Sequence, residues 1–164
     1  MIHQAFVSIG SNLGDKIENC RRAVKELMAD GRSALIRSSS LYRTSPVDFS
    51  DQDWFVNLVV KIKTSLDPFE LLGKAKSIEK AAGRTDSAVR FGPRVLDLDI
   101  IFFDSRVIRT DSLEIPHPRM HKRRFVLKPI CDIEPTMMHP LLGRDVRSLL
   151  DGLKDTEQKV VEIP

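Results

Sequence analysis

The clearest pattern of hydrophobic and polar positions in the chain runs over residues 54–63. Every second position there is apolar: Trp54, Val56, Leu58, Val60 and Ile62. The intervening series begins with Phe55 and Asn57 and ends with lysines. Because a period of two is typical of a β-strand, we expect the first series to face a core and the second series to occupy the other face of the sheet.

Two other segments have the period of an α-helix. In the first, apolar residues recur at helical spacing over 17–28, and Asp15 stands at the N-cap position. In the second, Asp67 and Glu70 are spaced as in a capping box, and the helix is predicted to run to about Ala82. A glycine follows each run and would end the helix.

Shorter segments complete the predicted order of elements. Strands are predicted over 5–10, 34–43 and 159–163, a hairpin partner over 107–108 follows the strand that ends near Phe103, and helices are predicted over 125–130 and 145–153. Strands and helices thus alternate with few parallel crossovers. This order predicts an α+β fold with a largely antiparallel sheet.

One predicted strand, over residues 95–102, contains two carboxylates in an apolar run. Strict alternation places Asp97 and Asp99 on one face, with their Cα atoms about 7 Å apart, and puts Leu98, Ile100 and Phe102 on the other. Two like charges on a mostly apolar strand are costly to bury without a counter-charge or a metal ion. Magnesium fits this donor set, because it is commonly bound through one or two carboxylates and substrate phosphates.

The two aspartates also allow a second interpretation. An isolated Asp-x-Asp is more often a solvated edge strand on which charge discourages pairing with another chain. Here, however, Arg84, Arg90 and Arg94 precede the strand, so cations for anionic oxygens lie close to anions for a metal ion. That combination favours a site for a metal-bound nucleotide.

Two further positions have both a structural and a functional interpretation. Phe55 and Asn57 could hold a flat polar ring, because an aromatic offers a stacking surface and a carboxamide offers donors and an acceptor. An asparagine near a strand end is equally often a residue that satisfies a turn. His117 lies in the proline-rich segment 115–118; a single histidine is usually structural, and roles in acid-base chemistry or phosphate binding are the minority.

Length and charge limit the class of protein. The 164 residues suit one domain over 1–164, and 41% hydrophobic and 30% charged residues are ordinary for a globular protein without a membrane span. The net charge is only +3, which does not imply a nucleic-acid partner. The first residues lack the basic and apolar segments of a signal peptide, so a cytoplasmic location is expected.

Taken together, these motifs resemble the family of 6-hydroxymethyl-7,8-dihydropterin pyrophosphokinases. The resemblance extends from end to end, over residues 8–15, 42–46, 55–57, 78–79, 83–84, 90–101 and 115–118, with Arg123 and Phe125. Its most specific part is Gly-Pro-Arg-x-x-Asp-x-Asp at 92–99, a motif rarely met by chance.

The resemblance implies a three-layer α/β/α sandwich on a ferredoxin-like core. It also implies an ATP-dependent enzyme of folate biosynthesis, which transfers pyrophosphate to the hydroxymethyl group of a pterin and releases AMP. Asp97 and Asp99 would bind two Mg²⁺ ions, and both would be catalytic together with Arg84 and Arg94.

The resemblance assigns further residues to the two substrates. The expected pterin pocket consists of Thr44, Ser45, Pro46, Val47, Phe55, Asn57 and Phe125. The expected nucleotide site consists of Leu72, Lys76, Glu79, Arg84, Arg90, Arg94, Ile100, Leu113, Glu114, His117 and Arg123. Two positions depart from the family pattern: Asp86 stands where arginine is frequent, and Phe91 where tryptophan is common.

Two other functions are compatible with parts of the sequence. A nucleic-acid-binding module would use the basic cluster around Arg123, but the paired acids nearby oppose a phosphate backbone. A nucleotidyltransferase would also use Asp-x-Asp and metal ions, but would release pyrophosphate. We expect small-molecule substrates, no nucleic acid, no membrane and a monomer.

Overall fold

The computed structural model describes residues 1–46, 51–83, 94–154 and 157–164. Several sequence predictions fall outside the described residues. They concern Val47 in the expected pterin pocket, Arg84 and Arg90 near the phosphates, and the departures at Asp86 and Phe91.

The described residues form eight β-strands and four α-helices. In chain order they are β1 (His3–Ser11), α1 (Lys16–Met28), β2 (Ser33–Ser38), β3 (Tyr42–Thr44), β4 (Phe55–Thr64), α2 (Pro68–Ala81), β5 (Asp97–Phe103), β6 (Ile108–Arg109), β7 (Glu114–Ile115), α3 (Arg124–Ile133), α4 (Val146–Asp151) and β8 (Val160–Glu162), with a 3-10 turn at Met120–Lys122. The order of elements is the predicted one, apart from the corrections given below.

Both long helices begin where the sequence predicts. The Asp15 carboxylate accepts a hydrogen bond from the Glu18 N–H at 3.2 Å. Asp67 accepts from the Glu70 N–H at 2.8 Å, and the Glu70 carboxylate accepts from the Asp67 N–H at 3.0 Å. These bonds satisfy backbone donors that a helix N-terminus leaves unpaired. Within the described ranges, no helix is both long and apolar enough to cross a membrane.

Strand β4 lies at the centre of the main sheet. One of its edges pairs with β1 and the other with β2 and β3, while β5 and β8 extend the sheet beyond β1 and β3. Every pairing among the described strands of this sheet is antiparallel. The order β5-β1-β4-β2, with α1 and α2 in the connections, is the ferredoxin-like arrangement. The predicted mixed fold with a largely antiparallel sheet is confirmed.

The core is divided into two layers by the sheet. The first, which we call the α1/α2 layer, contains alternate residues of β1 and β4 together with Leu27 of α1 and Leu71 of α2. The second, the α3/α4 layer, contains Phe6 and Val59 of the sheet with Val126 of α3. Because both faces of β4 are covered near its centre, Asn57 and Val59 of its second series are buried as well.

Two predicted strand assignments are wrong. The predicted strand over 34–43 is divided into β2 and β3, because Ser39 donates its N–H to Val59 C=O while its own hydroxyl accepts the Val59 N–H, both at 2.9 Å. A side chain therefore replaces the main chain in the ladder. The predicted hairpin partner at 107–108 does not pair with β5; Ile108 pairs with Ile115 of β7. The outer edge of β5 instead accepts the His117 N–H at Ile101 C=O.

A β-bulge in β5 changes which side chains face each layer. Ile100 and Phe102 pair with consecutive residues of β1, so Ile101 is an extra residue. Ile101 and Phe102 both pack in the α3/α4 layer as a result. The prediction that Phe102 shares a face with Leu98 and Ile100 is therefore wrong, because strict alternation stops at the extra residue.

The bulge predicts an energetic coupling between Phe6 and Phe102. Their rings meet edge to face with centroids 5.8 Å apart, so both side chains lie in the same layer. A double-mutant cycle of Phe6→Leu and Phe102→Leu, measured by urea unfolding, should give a coupling free energy of about 0.5–1.5 kcal/mol.

The matched control uses a residue of the opposite layer. Phe102→Leu combined with Leu71→Val should be additive within about 0.5 kcal/mol, because the sheet separates the two side chains. Equal coupling in both cycles would contradict the assignment of Phe102 to the α3/α4 layer.

Candidate functional site

The antiparallel register brings the expected metal ligands and the expected pterin residue to one face of the sheet. Gly10 of β1 pairs with Asp97 of β5 on one side and with Asn57 of β4 on the other. Asp99 pairs with Ser8, so its carboxylate follows that of Asp97 on the same face. Because neighbouring strands are about 4.8 Å apart, the Cα atoms of Asp97 and Asn57 are separated by about 10 Å.

Asn57 depends on the absence of a side chain at position 10. The Asn57 carboxamide is buried and donates from Nδ2 to Thr44 Oγ1 at 2.5 Å. A Cβ atom at position 10 would lie 2.5 Å from Asn57 Oδ1 and 3.8 Å from Cδ1 of Phe55. Gly10 therefore gives the carboxamide its space above β1. The sequence analysis gave this residue no role, although a glycine inside a strand signals a close approach.

The start of α3 carries the other expected aromatic. Arg123 is the N-cap residue, and its guanidinium carbon lies 5.5 Å from the centroid of the Phe125 ring. Helix α3 packs against β3 and β4, and Phe125 packs against the α3/α4 layer, on the side of the sheet that carries Asn57. A helix N-terminus with an arginine beside it favours an anionic ligand.

His117 connects the aspartate strand with the basic cluster. The backbone N–H of His117 donates to Ile101 C=O at 3.1 Å. Its ring atom Nδ1 accepts the backbone N–H of Arg119 at 3.2 Å. Burial, and after it the charges of Arg123 and Arg119, lower the pKa of His117 from 6.5 to about 4, while Asp97 opposes them. The imidazole is therefore neutral at pH 7. Because Nδ1 accepts a hydrogen bond, Nε2 carries the ring proton.

Three expected nucleotide residues lie on the other side of β5. Ile100 and Leu113 are buried in the α1/α2 layer, and Leu72 packs against it. Asp97 and Asp99 face the opposite layer. Because β5 is the edge strand of the sheet and begins at Asp97, a ligand that contacts both groups would pass around β5, at its outer edge or at its start.

Glu79 of α2 occupies part of that edge. Its side chain is buried, and its Oε2 accepts the Leu98 N–H at 2.8 Å. The Leu98 N–H lies on the outer edge of β5, and the Glu79 carboxylate accepts it in the way that a carbonyl of a neighbouring strand would. This contact fixes α2 against β5, and it is a structural role in addition to the expected one toward the nucleotide.

The remaining expected residues are more exposed. Ser45 and Pro46 are half-buried directly after β3, whereas the side chains of Lys76 and Glu114 are exposed on α2 and β7. The structure thus brings the aromatic, amide and acidic residues to one face, and it leaves these two at the periphery of the site.

Asn12 connects two loops and was missed in the sequence analysis. Its backbone N–H donates to Arg94 C=O at 3.0 Å, and its Oδ1 accepts the Arg94 N–H at 2.7 Å. Its Nδ2 donates to Gln52 Oε1 at 2.7 Å and to Asp53 C=O at 3.3 Å. Asn12 therefore joins the start of the aspartate strand to the segment that precedes Phe55. A Ser-Asn pair directly after a strand was the available signal.

The acidic side chains form a partial set of metal ligands. In the described part of the chain, no group of three or more His, Cys, Asp and Glu side chains could hold a metal ion. Two carboxylates on one strand face are the protein ligands that Mg²⁺ uses when phosphates and water complete its coordination. Asp97 and Asp99 therefore fit a magnesium ion that arrives with a nucleotide.

The comparison with known families agrees with this geometry. The model of the family 7,8-dihydro-6-hydroxymethylpterin-pyrophosphokinase (HPPK) matches residues 6–135. The chain belongs to the HPPK family. The matched range contains all of the expected site residues, and the resemblance inferred from the sequence is confirmed.

The relatives differ in how much of their length the chain covers. The 2-amino-4-hydroxy-6-hydroxymethyldihydropteridine pyrophosphokinase of Bacillus subtilis is 46% identical over 79% of this chain and 77% of its own length. The mitochondrial folate synthesis bifunctional protein of Arabidopsis thaliana is 44% identical over 80% of this chain and 23% of its own length. The chain spans about a fifth of the length of several curated relatives that it matches.

A solved structure has the same fold. The structure of Plasmodium falciparum HPPK-DHPS with pteroate superposes with a TM-score of 0.69 at 18% identity, over 92% of this chain and 42% of that one. Together with the names of the relatives, the family assignment confirms an enzyme of the pyrophosphokinase class in folate biosynthesis at the level of the family. The individual site residues stay predictions.

We predict that His117 titrates far below the usual histidine range. Because its folded pKa of about 4 lies below the ordinary 6.5, the unfolded chain binds the proton more readily between these values. The stability that neutral His117 contributes is therefore complete above pH 6.5 and declines as the pH falls toward 4. Between these pH values the free energy of unfolding should fall more in the wild type than in His117→Gln, as measured by urea denaturation.

The same substitution at His3 provides the control. His3 lies in a peripheral pair with Asp104 at 2.7 Å, so His3→Gln should retain the His117-dependent loss of stability. A proton NMR titration of His117 should give a midpoint near 4. A midpoint at the ordinary histidine value would contradict the burial of this ring beside two arginines.

Proposed function

We propose that the sheet face of β1, β4 and β5 is the active site of an ATP-dependent pyrophosphokinase. It transfers the pyrophosphoryl group of ATP to the hydroxymethyl group of 6-hydroxymethyl-7,8-dihydropterin and releases AMP. The observation that carries the proposal is the register that sets Gly10 between Asp97 and Asn57 in a chain of the HPPK family. We assign the activity to one domain over 1–164 that acts as a monomer.

The pterin binds on the part of this sheet face that β4 forms, next to Asn57. Asn57 presents a buried carboxamide held by Thr44, which suits a flat heterocycle with alternating donors and acceptors. Phe55 at the start of β4 and Phe125 at the start of α3 supply the two stacking surfaces. Ser45 and Pro46 line the pocket beside Thr44. Burial of this amide means that a ligand without matching polar groups would leave it unsatisfied.

The triphosphate binds on the part of the same sheet face that β5 forms, next to Asp97. Asp97 and Asp99 would hold the Mg²⁺ ions, and magnesium bound there would neutralise phosphate charge. Arg94 and Arg123 provide cations on either side, and His117 donates from Nε2 to a phosphate oxygen without adding charge. The roles of Arg84 and Arg90 rest on the family resemblance alone.

The nucleotide crosses the outer edge of β5. Its base lies on the α1/α2 side, near Leu72, Ile100 and Leu113, and its phosphates lie on the side of the aspartates. Lys76 and Glu114 contact the exposed part of the nucleotide, and Glu79 fixes the edge that it crosses. This arrangement places the phosphates, on β5, about two strand spacings or about 10 Å from the pterin, on β4, because only β1 separates the two strands.

The chemical step is a displacement at the β-phosphorus. The hydroxymethyl oxygen of the pterin forms a bond to the β-phosphorus, the bond to the oxygen that bridges the α- and β-phosphorus breaks, and the hydroxyl proton is released. AMP leaves with the bridging oxygen. The protein contributes positioning and charge neutralisation, which dominate the catalysis of phosphoryl transfer.

Partners and location stay predictions. The proposed substrates are small molecules, and neither nucleic acid nor membrane is required for the reaction. The expected cytoplasmic location is not general among relatives, because the Arabidopsis thaliana relative is named as mitochondrial.

The products test the proposal. The protein is incubated with magnesium, ATP and 6-hydroxymethyl-7,8-dihydropterin, and the nucleotides are separated by chromatography. AMP stoichiometric with a pterin diphosphate is the expected result. ADP with a pterin monophosphate, release of free pyrophosphate, or hydrolysis that does not need the pterin would contradict the proposed transfer.

We predict that Asp97→Asn and Asp99→Asn lose activity while keeping the fold. Loss of one metal ligand should lower kcat by at least about a hundredfold, which corresponds to about 3 kcal/mol of transition-state stabilisation. The melting temperature should not fall, because each change removes one of two like charges. Initial rates at saturating magnesium measure the effect.

Asp111→Asn is the matched control. Asp111 is an exposed aspartate outside the site, and its substitution should leave the rate unchanged. Retention of more than about a third of the wild-type rate in either site variant, a difference worth under about 1 kcal/mol, would mean that Asp97 and Asp99 are not the metal ligands.

A further inference from the structure

The segment Gln158-Lys159 contacts both walls of the proposed pterin pocket. It lies beyond residues 6–135, the range that the family model matches, and the sequence analysis gave it no functional role. Gln158 contacts the segment that carries Arg123 and Phe125, while Lys159 contacts Ser45. These are the two segments between which the ligand is proposed to bind.

Gln158 binds the backbone on both sides of Arg123. Its Oε1 accepts the Arg124 N–H at 2.9 Å, and its Nε2 donates to Lys122 C=O at 2.9 Å. Arg123 is the N-cap residue of α3 and makes no side-chain capping bond. The Arg124 N–H is one of the donors that a helix N-terminus leaves unpaired, so Gln158 supplies the cap from the other end of the chain.

The neighbouring residue holds the opposite wall. The Ser45 N–H donates to Lys159 C=O at 3.0 Å, and Ser45 Oγ accepts the Lys159 N–H at 2.9 Å. These bonds continue the β3–β8 ladder beyond Thr44, which pairs with Val160. Ser45 and α3 are thereby joined through two consecutive residues of one short segment.

We propose that Gln158 is a positioning residue for both substrates. It fixes the peptide groups that flank Arg123, and so it sets where the Arg123 guanidinium meets the phosphates and where the Phe125 ring meets the pterin. The proposal rests on the proposed function, because it assumes that these two side chains contact the ligands. Gln158 itself contacts no substrate.

The geometry explains why this position matters more than an ordinary helix cap. Arg123 adopts an extended conformation, with φ −110° and ψ 103°, at the junction between the 3-10 turn and α3. The 3-10 turn ends with the Arg123 N–H bonded to Met120 C=O, and the α3 ladder begins with Arg123 C=O, which accepts the Val126 and Leu127 N–H groups. The Gln158 amide binds the peptide groups on both sides of this junction and so restrains the backbone that carries Arg123, whose guanidinium carbon lies 5.5 Å from the centroid of the Phe125 ring.

The test compares Gln158→Met and Gln158→Glu in the full chain. Methionine keeps the length of the side chain and removes both hydrogen bonds; glutamate keeps the acceptor for the Arg124 N–H and loses the donor to Lys122. Calorimetry measures Kd for a magnesium-bound, non-hydrolysable ATP analogue and for the pterin at 20 °C, and thermal unfolding is followed in parallel. Gln158→Met should weaken binding of each ligand by about 5- to 30-fold, and Gln158→Glu by a smaller factor.

Gln4→Met provides the control, because Gln4 is exposed on β1 at the far end of the sheet from Gly10. It should bind both ligands as the wild type does. A purely structural role would lower the melting temperature of Gln158→Met but leave both Kd values unchanged, and that result would overturn the proposal. If Gln158→Met does not fold, the test uses Gln158→Glu instead. If Gln158→Glu binds both ligands as tightly as the wild type does, the proposal is likewise overturned.

The design separates this inference from the proposed function. If the wild-type protein binds both ligands and forms AMP, while the Gln158 variants bind normally, only the positioning role fails. If the wild-type protein does not bind the pterin and the nucleotide at all, the proposed function fails, and the positioning role fails with it.

Discussion

The pairing of β1 with both β4 and β5 is the interaction on which the site depends. Its register sets Gly10 between Asp97 and Asn57, so the carboxylates of β5 and the carboxamide of β4 lie on the same face of the sheet. A shift of either pairing by one residue would turn one of these side chains into the opposite layer. The α1/α2 layer fixes this register, because a shift would also move apolar side chains such as Ile9 and Leu58 out of that core and onto the face that carries the site.

The bulge at Ile101 divides β5 into a part that belongs to the site and a part that belongs to the core. At its start the strand alternates acidic and apolar residues, so one face is available to ligands and the other is buried. Beyond the bulge, Ile101 and Phe102 both enter the α3/α4 layer, where the sheet is covered by helices on both sides. One extra residue thus lets the same strand serve first as part of the site and then as part of the core.

Side chains from distant parts of the sequence hold the irregular segments around this sheet. Asn12 fixes Arg94 to the segment before β4, Gln158 fixes the start of α3, and Glu79 fixes the edge of β5. Each provides a polar side chain to backbone groups that lack a partner in a regular ladder. Residues proposed to contact substrates thereby gain fixed positions although several of them lie outside helices and strands.

The sequence by itself determined the order of elements and the two capped helices, because these follow from local periodicity and capping chemistry. It also supplied the candidate site side chains, most of them through the resemblance to a known family. Asp15 and Asp67 cap helices through bonds to residues three positions away, which a sequence displays directly. Only the tertiary structure decided the division of 34–43, the bulge at Ile101 and the roles of Gly10, Asn12 and Gln158. Each of these depends on a partner far along the chain, as between Gln158 and Arg124 or between Ser39 and Val59, and local patterns carry no information on which distant backbone groups will meet.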